Sequence, residues 1–134
     1  MCKKRTTLPT FNELVGGGTM ECSFCEEEVT FNLKVEGDVG ADAIWCDACY
    51  CNLDMYDLPI SESLKVQLTT WAQQYGKWMD WNKDKLCSNG VQMEVEHNKI
   101  GELLTIEVRN ELGDEYKVRF SPSSSARMYA TRDF

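Results

Sequence analysis

From Val29 to Val35 apolar and polar residues alternate, with Val29, Phe31, Leu33 and Val35 on one side and Thr30, Asn32 and Lys34 on the other. A period of two predicts a half-buried strand. Gly37-Asp38-Val39-Gly40 supplies turn chemistry. Ala41, Ala43 and Trp45 then continue an alternating face toward Cys46, so residues 29–46 are expected to form a β-hairpin.

After Leu58-Pro59 the period lengthens. Leu64, Leu68, Trp71, Tyr75 and Trp78 recur at alternating spacings of four and three, which predicts a helix with Ser61 or Ser63 as its N-cap, weakened late by Gly76. A second helical pattern carries Met93, His97, Ile100, Leu104, Val108 and Leu112 and stops at Gly113, a residue suited to the left-handed position that closes helices. Tyr116, Val118 and Phe120 alternate as a strand, ended by Ser121-Pro122. The expected fold class is α+β: an N-terminal β-hairpin, two helices and a C-terminal strand. Four segments follow from this pattern: an arm over 1–18 that ends in Gly16-Gly17-Gly18, a cysteine-bearing module over 19–52, a helical and β segment over 58–120, and a serine-rich tail over 121–134.

The 134 residues, 43% of them hydrophobic, allow one domain with a modest core. The stretch MCKKRTTLPT has basic residues but no apolar stretch of a secretion signal, and no apolar run reaches a membrane span, so a cytoplasmic location is expected. The net charge of −8 divides as +2 over 1–19, −7 over 20–51, −1 over 52–89 and −2 over 90–134. Acidity thus concentrates where the cysteines do.

Cys22-Ser-Phe-Cys25 and Cys46-Asp-Ala-Cys49 are separated by twenty residues, the two-pair spacing of a structural zinc site at its upper limit. Two intervening residues let each pair turn both sulfurs to one side, and a reducing compartment favours thiolate ligands over disulfides. Cys51 is an alternative to Cys49 as the fourth ligand, and iron is a minor alternative to zinc. Four thiolates leave no open position for an activated water, so Zn²⁺ here is expected to be structural. These pairs, with the hairpin between them, resemble a zinc ribbon over about residues 19–52, although Glu26 and Tyr50 stand where many such knuckles carry Gly. The span EYKVRFSPSSSARMY looks like segments of small uncharacterised proteins of Gram-positive bacteria and their prophages.

Catalytic signatures are scarce. His97 is the single histidine, follows Glu94 by three positions, and lies on an apolar face, so a structural histidine is the simpler reading than a metal ligand or a general base. No phosphate-binding glycine loop is present. The cysteine-bearing segment has one cation, Lys34, against eight acidic residues, which disfavours direct binding to nucleic acid by that segment. The expectation is a non-enzymatic protein-interaction module that binds another protein through Glu26, Glu27 and Glu28 or through an aromatic helix carrying Trp71 and Trp78, with Trp81 nearby. Those aromatics are also most simply read as core. A nucleic-acid or transcription-associated zinc-ribbon factor is the alternative, and a small metal-dependent enzyme the third reading.

Overall fold

The computed structural model describes residues 20–21, 29–126 and 128. The arm, Cys22, Cys25 and Glu26 to Glu28 lie outside those residues. Strands β1 (Met20–Glu21) and β2 (Val29–Thr30) pair antiparallel, Met20 opposite Thr30. Next come β3 (Asn32–Glu36) and β4 (Ile44–Cys46), then helix α1 (Glu62–Gln73). A small hairpin, β5 (Met79–Asp80) and β6 (Lys85–Leu86), precedes helix α2 (Gly90–Leu112) and the last strand β7 (Lys117–Ser121).

The main sheet has the order β4-β3-β7. β3 and β4 form the expected antiparallel hairpin, with Leu33 opposite Cys46 and Val35 opposite Ile44. β7 lies parallel to β3, Leu33 beside Val118 and Val35 beside Phe120. A parallel neighbour requires a long crossover, which the two helices supply. Leu33, Val35, Ile44, Cys46 and Val118 thereby share one face and join Leu64, Leu68, Trp71, Leu104 and Val108 of the helices in a single core. The expected inward face of the second strand is corrected by this register: Ile44 and Cys46 point to the core, while Trp45 lies across from Lys34 on the opposite face. Lys34 is itself buried there, 3.2 Å from Glu36 and covered by the rings of Trp45 and Tyr50.

Ser61 caps α1, its hydroxyl oxygen accepting from the Leu64 N–H at 3.2 Å. The helix ends at Gln73, earlier than the apolar spacing predicts. Gly76 adopts φ 84°, a left-handed conformation that turns the chain, so Tyr75 and Trp78 reach the interior from the connection and not from a helical stripe. α2 runs to Leu112 and closes on Gly113, φ 81°, as its sequence requires. Its buried stripe is Glu94, His97, Gly101, Leu104, Thr105 and Val108. At Gly101 an added Cβ would stand 2.5 Å from the Phe120 ring and 2.6 Å from that of Trp71, so the missing side chain is what lets both rings meet the helix. Among the described residues no helix is long and apolar enough to cross a membrane.

Candidate functional site

The two helices run antiparallel. At one end Ser61, ahead of α1, donates from its backbone N–H and its hydroxyl to the Glu111 carboxylate near the end of α2, at 2.6 and 2.9 Å. Further along, Trp71 stacks on His97 with ring centres 4.4 Å apart and donates its indole N–H to the His97 carbonyl at 2.8 Å. A groove of about 610 Å³ runs along the two helices from Val66 and Leu104, past Trp71 and His97, to Lys77 and Asn89. Buried Trp71, Trp78, His97 and Leu104 form its base, half-exposed Val66 and Ile100 stand on its walls, and Gln67, Gln74, Gln92 and Glu96 line its rim.

His97 is 5% exposed and packs edge-on against Trp78 and Tyr75. Its Nε2 has no hydrogen-bond partner among the described residues, and it faces Gly37, where an added Cβ would lie 3.0 Å away. Burial pulls its pKa down to about 4, against a smaller opposing pull from Glu94. The ring is therefore neutral near pH 7 and packed among aromatics. Glu94 is fully buried, but as an anchor: its Oε2 accepts from the Ser123 hydroxyl at 2.7 Å, the Ser125 hydroxyl at 3.4 Å and the Ala126 N–H at 2.8 Å. Glu94 and His97 are thus both packed into the interior, and Ser123, Ser125 and Ala126 of the serine-rich segment are held by Glu94.

Of the three tryptophans expected at a partner surface, Trp71 and Trp78 are 4% and 1% exposed, and only Trp81, at 62% on the turn between β5 and β6, is open to solvent. Sequence reasoning missed Val66 and placed Ile100 inside. The available signal was that α2 carries apolar residues off its buried stripe, at Val95, Ile100, Leu103 and Ile106, all at least 37% exposed. A helix apolar on more than one side marks a second surface to be covered.

Cys46 is fully buried, its thiol 3.4 Å from the Thr30 hydroxyl, and Cys49 is half-buried one turn later. That turn closes with the Tyr50 N–H on the Cys46 carbonyl at 2.8 Å, and Tyr50 takes φ 65°, the conformation for which glycine is usual. Cys51 is disulfide-bonded, and its partner is outside the described residues.

Residues 31–123 match the sequence family described as Serratia CdiI immunity protein-like. The chain belongs to that family. No curated protein matches it. Membership of an immunity-protein family agrees with the expectation of a non-enzymatic protein that acts through protein–protein contact. It also overturns the resemblance to a zinc ribbon. The matched span begins inside the supposed ribbon and continues through both helices, and the hairpin is two thirds of a sheet that β7 completes. Among the described residues no group of three or more metal-binding side chains is placed to hold an ion. The spacing misled because tight Cys-x-x-Cys turns are common to many small folds. The resemblance of the C-terminal span to uncharacterised prophage proteins gives way to the same match, which reaches residue 123.

Proposed function

We propose that the protein is an immunity protein, which binds a partner toxin in the cytoplasm and blocks it without chemistry of its own. The observation that carries this reading is the family match over residues 31–123 of 134. The groove between α1 and α2 supports it, as an apolar cleft with a polar rim suits binding to another protein. Trp81 is a further anchor at the β5–β6 turn, and Glu26, Glu27 and Glu28 add acidity that draws a basic partner.

The test is growth. Cells producing a toxin domain encoded beside this gene should grow when the chain is co-expressed, and purified toxin and chain should form a stoichiometric complex. Arrest despite soluble chain, with every neighbouring toxin domain tried, would overturn the reading. The expected Zn²⁺ at Cys22, Cys25, Cys46 and Cys49 is a separate matter that metal analysis of the purified chain decides. One equivalent of zinc lost in Cys46→Ser would support that ligand set, and metal-free folded protein would remove it.

A further inference from the structure

The groove does not end where its apolar lining ends. Beyond Val66 and Leu104 the same two helices continue toward the contact of Ser61 with Glu111, and that end bears exposed Glu62 and Glu107 as well. Two of the cations near that end are already engaged, while exposed Lys77 lines the opposite end of the groove. Lys65 is 3.6 Å from Glu62 and donates to the Tyr56 carbonyl at 3.1 Å, while Arg109 donates to the Val118 carbonyl at 2.7 Å. An apolar cleft thus opens onto a carboxylate-rich end, in a chain of net charge −8.

We propose that this groove receives a cationic amphipathic segment of the toxin, with apolar side chains between Val66 and Ile100 and a Lys or Arg side chain on Glu107. This rests on the immunity reading and deepens it by naming the partner's chemistry. Apolar anchors desolvated over Trp71 and Trp78 supply the hold, and the carboxylate end sets orientation and speeds encounter. Neutral or acidic segments of similar shape are rejected, because they leave the carboxylates facing like charge or nothing.

Ile100→Asp and Glu107→Lys change exposed residues and should leave the thermal unfolding profile intact. The titrants are the toxin domain found in the growth test and, independently, a short fluorescent Leu/Lys amphipathic peptide beside its Leu/Glu counterpart. Each substitution is expected to weaken binding of toxin and Leu/Lys peptide about tenfold or more, with Val39→Ser, an exposed residue outside the groove lining, as the unaffected control. Toxin binding within about twofold of wild type in both variants, with growth still protected, would overturn the groove and leave the immunity reading standing. If no toxin is neutralised, that reading has failed, and the peptide still decides the groove: selective, substitution-sensitive binding of Leu/Lys supports it, and equal or absent binding of the two peptides overturns it. Self-association abolished by Ile100→Asp would show that a second copy covers the groove, and would also overturn the proposal.

Discussion

His97 shows how packing sets the behaviour of one titratable group. Its folded pKa of about 4 lies below the ordinary 6.5, so between these values the unfolded chain binds the proton and the folded chain does not. Stability attributable to this residue is complete above about pH 6.5 and is lost as pH falls toward 4, by up to about 3 kcal/mol at 1.36 kcal/mol per pH unit. The urea midpoint of the native chain should therefore fall over that interval more steeply than that of His97→Phe, which keeps the stack on Trp71. Equal slopes in the two proteins would refute the account. Gly101 is the complementary case, a residue defined by what it lacks. Gly101→Ala places a methyl 2.5 Å from the Phe120 ring and 2.6 Å from that of Trp71, so at least one ring must shift. The substitution should cost about 1–3 kcal/mol, read from chemical denaturation, although alanine is intrinsically the better helix former.

At the scale of elements, periodicity was a good guide where one face of an element is buried and a poor one where the chain turns. β3, α2 and β7 all carry patterns whose buried members are close to those expected, and the β3–β7 pairing joins sequence-distant segments. α1 stopped short because a single left-handed glycine outweighed an apolar spacing that Tyr75 and Trp78 satisfy from the following turn. Residues 123–126 were illegible for a different reason: polar contacts hold them, and hydrophobic patterns do not record such contacts. Ser123 exchanges two hydrogen bonds with Asn98, at 3.0 and 2.9 Å, and Trp78 donates to the Ser125 hydroxyl at 3.0 Å. The Glu94 carboxylate is the centre of this arrangement. Glu94→Ala should release the segment after Ser121, with a loss of about 3 kcal/mol for a buried charged acceptor. Faster hydrogen exchange at Ala126, without comparable change at Leu33 or Val35, is the expected signature. Uniform acceleration across the chain would show that the carboxylate supports the whole fold and not the tail alone.

At the scale of the whole molecule, the cysteines and the charge pointed in different directions. The paired Cys-x-x-Cys motifs drew attention to a metal, yet family membership and the continuous sheet place the residues 31–123 in one immunity-protein unit. The charge points toward a basic partner, and the loss of the ribbon leaves it in place, because the total of −8 is unchanged by how residues 20–51 fold. Its kinetic consequence can be measured. Attraction between a strongly acidic chain and a basic toxin lengthens the reach of productive encounters, and salt shortens that reach, from a Debye length of about 30 Å at 0.01 M to about 10 Å at 0.1 M. The association rate constant should therefore fall about tenfold or more across this interval. Contacts inside the groove are desolvated and lie closer together than either screening length, so the dissociation rate should change far less. A stopped-flow series in sodium chloride separates the two. If dissociation carried the salt dependence while association stayed flat, the acidic surface would be part of the bound interface and would play no part in guiding the toxin to it.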